Sequence, residues 1–177
     1  MSLARIVVDA PAPVGPLTLG VTDAGLALAT FPNAGPDVVE RTAERLGVPL
    51  VEGPDDHPAA VALREYLAGA RRVFDGPLDW SLTRGSQRRV LQALHETVPF
   101  GSTATYGELA ARAGLGAGHT AARGVGSIMG SNPIVIVVPC HRIMAADGLG
   151  GFGGGRAAKE WLLAHEGVLT PALDLGL

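Results

Sequence analysis

The feature that most constrains the fold is a run of five β-branched residues, Ile134–Val138. An apolar run of this length predicts a buried strand. Pro139 lacks a backbone donor and predicts the end of that strand. Cys140, the chain's only cysteine, comes next and is followed by His141 and Arg142. The pattern therefore predicts a thiol at a sharp turn beyond a strand.

A lone cysteine has two interpretations, a buried inert side chain or a nucleophile. The thiolate is the reactive form, and a reference pKa of about 8.5 leaves the thiol protonated at neutral pH. A nucleophilic Cys140 therefore needs a base or a positive field, which His141 and Arg142 could supply. Adjacent residues on a strand face opposite sides, so only a turn at Pro139 would bring His141 to the sulfur.

The composition predicts one good core or two small ones, since 47% of the 177 residues are hydrophobic. No leader pattern is present, and no apolar stretch approaches the ~18 residues of a membrane span. We expect a soluble, cytoplasmic protein that makes no contact with membranes. A single cysteine excludes an internal disulfide and a cysteine-rich zinc site, and the five histidines show no ligand spacing. We expect no bound metal.

The net charge of −3 gives no sign of nucleic-acid binding, which draws on Lys and Arg. A local basic face is nevertheless possible, because many basic residues lie in the C-terminal half: Arg84, Arg88, Arg89, Arg112, Arg123, Arg142, Arg156 and Lys159.

The first half is predicted to be a small α+β domain, residues 1–80, with a small antiparallel sheet. Alternating or helical spacing predicts three strands, at Ala4–Val8, Leu17–Val21 and Leu26–Phe31, and two helices, at Pro36–Leu46 and Pro58–Leu67. Gly76-Pro77 favours a boundary before a mainly α domain of residues 81–177.

The second half is predicted to begin with a helix capped by Ser86 and stopped by Pro99. Thr105 and Glu108 then form a capping box for a short helix. A third helix, capped by Thr120, is predicted to run through Met129. Two short helices joined by a glycine-containing turn suggest a helix-turn-helix motif, and an ordinary helical hairpin is the alternative.

The segment Gly148–Gly155 contains the spacing GxGxxG of a dinucleotide site. That fingerprint requires a strand before it and an acidic residue about 20 positions later, and the preceding residues 144–147 do not form such a strand. We interpret the segment as a flexible or closely packed loop.

Several motifs in the second half agree in order and spacing with one known family. They are Ser131-Asn132-Pro133, Pro139-Cys140-His141-Arg142, the Gly148–Gly155 loop and Lys159–Gly167. Together they closely resemble the O6-alkylguanine-DNA alkyltransferases, which are suicide repair proteins. The resemblance is strong over residues 86–167. It implies a winged helix-turn-helix-like DNA-binding motif in the C-terminal domain.

The resemblance also implies catalytic roles. Cys140 would be the nucleophile, His141 a base acting through a water, Glu166 its orienting carboxylate and Asn132 a brace for the turn. Tyr106 would rotate the nucleotide and protonate the leaving guanine. On sequence alone Glu166 could equally be a surface carboxylate at a helix end.

In such a protein Arg123 would fill the stack left by the flipped guanine, although a solvated arginine is the alternative. The other DNA-binding residues implied are Thr120, Ala122, Gly126 and Tyr106. The substrate-binding residues implied are Cys140, Ile143, Met129, Phe152 and Gly153. Phe152 stands where relatives usually have Tyr, and Gly153 where several have Ser.

We therefore expect a monomeric protein that flips O6-alkylguanine out of double-stranded DNA and moves the alkyl group irreversibly to Cys140 without a cofactor. One alternative is a non-catalytic alkyltransferase-like damage binder, but those proteins replace the cysteine. The other is a Cys/His hydrolase, for which the sequence around Cys140 shows no signature.

Overall fold

A mixed four-stranded sheet forms the first part of the chain in the computed structural model, which describes residues 1–170. The strands are β1 (Leu3–Val8), β2 (Leu17–Thr22), β3 (Gly25–Thr30) and β4 (Leu50–Glu52), in the order β3-β2-β1-β4. The three predicted strands are confirmed, and they pair antiparallel. Sequence reasoning missed β4, which adds parallel to β1. Three residues are too few to show an alternating pattern.

Two helices cover this sheet, α1 (Val38–Leu46) and α2 (Pro58–Leu67), and both were predicted. Gly47 ends α1 in the left-handed conformation, with a φ of 68°. Pro58 begins α2, where a missing N–H costs nothing. The ring Nδ1 of His57 caps α2 by accepting from the amide of Ala59 at 3.1 Å.

Up to residue 170, the second part contains four α-helices: α3 (Gly85–Thr97), α4 (Tyr106–Arg112), α5 (His119–Gly130) and α6 (Arg156–His165). The predicted capping box of α4 is confirmed: the Glu108 amide donates to Thr105 Oγ1 at 3.1 Å, and the Thr105 amide donates to Glu108 Oε2 at 2.8 Å. The caps predicted at Ser86 and Thr120 are wrong, because the N-cap positions lie two residues earlier, at Arg84 and Gly118, and neither has a side-chain cap. Helices α4 and α5 pack together as the predicted helix pair.

The strand predicted at Ile134–Val138 is wrong. The segment is a series of buried turns in which Ile136 has a φ of 69°, and only Ile134 makes a bridge, to Ala29 of β3. Beyond this contact with β3, the side chain of Asn132 holds both ends of the segment. Its Oδ1 accepts from the Ile134 amide at 3.0 Å, and its Nδ2 donates to the Val138 carbonyl at 2.8 Å. Burial, not a sheet ladder, accounts for the β-branched run.

The two parts share one hydrophobic cluster. It joins Ile6 and Leu19 of the sheet to Tyr66 of α2, Leu91 of α3 and Ile134. The boundary near residue 80 remains a proposal, and the last seven residues of the range 81–177 lie outside the described part of the chain. None of the helices within residues 1–170 is both long and apolar enough to cross a membrane.

Candidate active site

Cys140 lies in a single turn of 3-10 helix, Cys140–Arg142, directly after Pro139. The turn predicted at this point is therefore present. The Cys140 amide donates to the Val138 carbonyl at 2.9 Å, and Val138 is the residue that Asn132 braces. The site residue predicted as a brace thus contacts the backbone that carries the cysteine.

The Cys140 side chain is buried, with 5% of the residue exposed. Burial raises the pKa of the thiol, while a hydrogen bond with Asn132 and the charge of Lys159 act in the opposite direction. The thiol is therefore protonated at neutral pH, and a reaction at sulfur needs a nearby group that accepts the proton.

His141 can be that proton acceptor. Its Nε2 donates to Glu166 Oε1 at 2.8 Å, and both side chains are fully buried. A carboxylate only accepts, so the network assigns the proton to Nε2 and leaves a lone pair on Nδ1. Within residues 1–170 the buried Nδ1 has no hydrogen-bond partner. Burial lowers the pKa of His141 despite the charge of Glu166, which keeps the ring neutral in the resting protein.

Glu166 is the hub of a buried polar network. Its carboxylate accepts from Arg142 Nε and Nη2, each at 2.8 Å, and from the Tyr66 hydroxyl at 2.7 Å. The Gly101 amide donates to it at 3.3 Å. Burial alone would raise the pKa of Glu166, but the hydrogen bonds from His141 and Arg142 and the charge of Arg142 outweigh it and hold the pKa well below its ordinary value. The alternative of a surface carboxylate is excluded.

Sequence reasoning missed Lys159 and Tyr66. Lys159 is 1% exposed, and its Nζ donates to the carbonyls of Ile143 at 2.6 Å, Leu149 at 2.5 Å and Gly151 at 3.3 Å. Burial lowers its pKa to about 8, against the opposite effect of Cys140. The available signal was its place on the apolar face of α6. Nothing in the sequence indicates that the hydroxyl of Tyr66 reaches a carboxylate 100 residues away.

Most of the predicted substrate-binding residues line one cavity of about 200 Å³. Its lining is Tyr106, Gly126, Met129, Gly130, Cys140, Gly151, Phe152 and Gly153. Ile143 is not in the lining; its carbonyl instead holds Lys159. Gly150 has a φ of 76°, and a Cβ there would lie 2.7 Å from the Tyr106 hydroxyl oxygen. Only glycine allows the loop to approach Tyr106 this closely.

An open groove of about 780 Å³ runs along α5 and shares Tyr106 and Gly126 with the cavity. All five predicted DNA-binding residues line it: Thr120, Ala122 and Arg123 in addition to these two. Arg123 is exposed and makes no hydrogen bond or ion pair with residues 1–170. The side chain of Arg123 is therefore free to reach into a molecule that binds in the groove.

The local basic face left open by the sequence is smaller than the residue count indicates. Arg142 and Lys159 are buried and serve the site, and Arg156 is paired with Glu160. No cluster of three or more potential metal ligands occurs among residues 1–170.

A cavity that ends on a buried thiol, beside an open groove along a helix, defines a class: proteins whose reactive group is a cysteine. A family model described as "6-O-methylguanine DNA methyltransferase, DNA binding domain" matches residues 85–168. A methylated-DNA–protein-cysteine methyltransferase of Mycolicibacterium paratuberculosis is 43% identical over 164 residues, which cover 90% of this chain and 91% of that protein. The chain belongs to the methylated-DNA–protein-cysteine methyltransferase family, which confirms the resemblance seen in its motifs.

Solved structures agree with this assignment. The crystal structure of Mycobacterium tuberculosis O6-methylguanine methyltransferase superposes with a TM-score of 0.74 at 36% identity and covers 96% of each chain. The crystal structure of M. tuberculosis OGT in complex with DNA superposes with a TM-score of 0.72 at 35% identity, covering 95% of this chain and 94% of that one.

Proposed function

We propose that this protein repairs DNA by flipping O6-alkylguanine out of the duplex and transferring its alkyl group irreversibly to Cys140. The observation that carries the proposal is the position of the buried thiol in the wall of a base-sized cavity, with the open groove of α5 beside it. The family assignment supports DNA as the partner. We propose that the protein acts as a monomer and needs no cofactor.

In the proposed reaction the sulfur of Cys140 attacks the alkyl carbon, a C–S bond forms and the bond from that carbon to O6 breaks. The thiol proton passes through a water to Nδ1 of His141, the buried ring atom that has no hydrogen-bond partner in the described part of the chain. Glu166 accepts from the opposite ring nitrogen and stabilises the imidazolium. The phenol of Tyr106, in the cavity lining, protonates the leaving guanine.

Recognition of the base is assigned to the backbone around the cavity. The carbonyls of Cys140 and Ile143 would accept hydrogen bonds from the guanine, and the amide of Gly153 would donate one to it. Met129 and Phe152 would supply apolar walls. Lys159 already donates to the Ile143 carbonyl, which has a second lone pair for a base.

DNA binding is assigned to α5. Thr120, Ala122 and Gly126 would lie against the backbone and groove of the duplex, and Arg123 would occupy the space that the guanine leaves. The glycines of α5 weaken the helix by about 1 kcal/mol each, and close approach to DNA would account for them.

The first test is stoichiometric. Incubation with a duplex that contains O6-methylguanine should add one methyl group per chain, on Cys140, after which activity ends. Intact-mass and peptide-mass spectrometry measure this result, and Cys140→Ser is the control that should remain unmodified. A duplex bound without an adduct would indicate a damage binder, and several turnovers per molecule, or hydrolysis of an ester, would rule out the suicide reaction.

A further inference from the structure

The loop Gly148–Gly155 forms one wall of the cavity, although six of its eight residues are glycine. Glycine loses more conformational freedom on ordering than any other residue. A wall that reads a base must nevertheless keep one shape. The loop therefore depends on contacts from other parts of the chain.

The C-terminal part holds this loop near its beginning and at its end, where the Lys159 amide donates to the Gly155 carbonyl at 3.1 Å. The Lys159 ammonium holds the carbonyls of Leu149 and Gly151. The side chain of Phe152 has no polar group and Gly153 has no side chain, so neither residue can fix its own position by a side-chain hydrogen bond. Together with Gly151, these two residues line the cavity beside Cys140.

Contacts to Phe152 and Gly153 come from the sheet part of the chain. Asn33 Nδ2 donates to the Gly153 carbonyl at 2.7 Å. The rings of Phe31 and Phe152 meet edge to face, with centroids 5.3 Å apart and planes at 74°. A Cβ on Gly154 would lie 2.8 Å from the Phe31 ring and 2.9 Å from that of Phe152. The ring pair therefore fits closely around the loop backbone.

The segment that makes these contacts is itself well fixed. Phe31 follows β3 directly and is only 6% exposed. Its carbonyl accepts from the Thr30 hydroxyl at 2.9 Å and from the Ala34 amide at 3.1 Å. The next residues, Pro32–Ala34, form a turn of 3-10 helix in which proline restricts the backbone. We call Phe31–Asn33 the sheet anchor.

We propose that the sheet anchor positions the base-reading wall of the cavity: Phe31 seats the ring of Phe152, and Asn33 fixes the peptide of Gly153 for the alkylated base. The inference rests on the proposed function and adds two positioning residues outside the DNA-binding half. Neither residue needs to touch the substrate. Their effect is to order Phe152 and Gly153 before the base arrives.

The test compares a base substrate with a small thiol reagent. Asn33→Ala, Asn33→Asp and Phe31→Leu are made in the full chain, with Arg41→Ala as the matched control. Arg41 is exposed and contacts the Ala34 carbonyl and Asp37, close to the anchor in sequence. Second-order rates of Cys140 modification are measured with O6-benzylguanine and with methyl methanethiosulfonate, which contains no base.

We expect the anchor variants to react about three- to tenfold more slowly with O6-benzylguanine, the range that the loss of one hydrogen bond gives. Asn33→Asp should be the slowest of the Asn33 variants, because a carboxylate would face the Gly153 carbonyl. Rates with methyl methanethiosulfonate, and both rates of Arg41→Ala, should stay within about twofold of wild type, the range usual for surface changes. Equal loss with both reagents, or no loss with the base, would overturn the inference. If wild type itself failed to react with the base, the proposed function would fail instead.

Discussion

Replacing Glu166 by alanine is expected to destabilise the protein by about 3–5 kcal/mol, because the buried guanidinium of Arg142 would lose its partner. The Arg142 Nη1 bond to the Val98 carbonyl, at 2.8 Å, would remain but carries no opposite charge. Urea denaturation at neutral pH measures the change in the free energy of unfolding.

Glu160→Ala is the matched control for this experiment. Glu160 lies in the helix that ends next to Glu166, and it also pairs with an arginine, Arg156 Nε, at 2.8 Å. That pair is largely exposed. Exposed pairs contribute about 0–1 kcal/mol, so the control should change little. Similar losses in both variants would show that Glu166 has no special role in the fold.

The pH dependence provides a second measurement on the same residue. The pKa of Glu166 is lowered in the folded protein, so its stabilising contribution is fully present above the ordinary value of 4.5 and is lost as the pH falls below it. The difference in stability between wild type and Glu166→Gln should therefore narrow as the pH falls below that value. A constant difference down to acid unfolding would contradict a charged Glu166.

Arg123→Ala is expected to slow repair of a paired lesion by about 10- to 100-fold, because extrusion of a base from the stack costs a few kcal/mol. Reaction with free O6-benzylguanine needs no extrusion and should be unaffected. The position of Arg123 supports this separation, since it lines the groove of α5 and is absent from the lining of the cavity. Single-turnover rates with the two substrates measure the ratio.

Arg112→Ala is the matched control, which separates a local role of Arg123 from the general loss of one positive charge. Arg112 is an exposed arginine on the neighbouring helix α4 and donates to the Thr97 carbonyl at 3.2 Å. Its loss should weaken duplex binding modestly, in the manner of one phosphate contact. Equal losses with duplex and free base for Arg123→Ala would show that Arg123 is not an extrusion residue.

Short-range signals in the sequence predicted much of this molecule. The capping box at Thr105 and Glu108 is complete within four residues and is present in the structure. The turn at Cys140 was predicted from Pro139, whereas the role of Glu166 as the partner of His141 came only from the family resemblance. Local chemistry of this kind depends on neighbours that can be read directly along the chain.

Long-range contacts could not be predicted in the same way. The hydrogen bonds from Tyr66 to Glu166 and from Asn33 to Gly153 join residues 100 and 120 positions apart. The misassigned strand at Ile134–Val138 has a similar cause. β-branched residues favour buried settings in general, and the backbone there is held by the side chain of Asn132 and by one contact with Ala29 of β3, not by a strand ladder.

The shared interior limits how the chain can be recombined with its relatives. A chimera that kept residues 81–170 and took its first part from another protein would lose the Tyr66 hydroxyl at Glu166 and the sheet anchor at the glycine loop, unless the donor supplied equivalents in the same places. Exchange at the proposed boundary near residue 80 would then join two intact folds, but the pocket would lack these contacts. Substitutions in the sheet and in the reactive half are therefore expected to be inherited as matched sets.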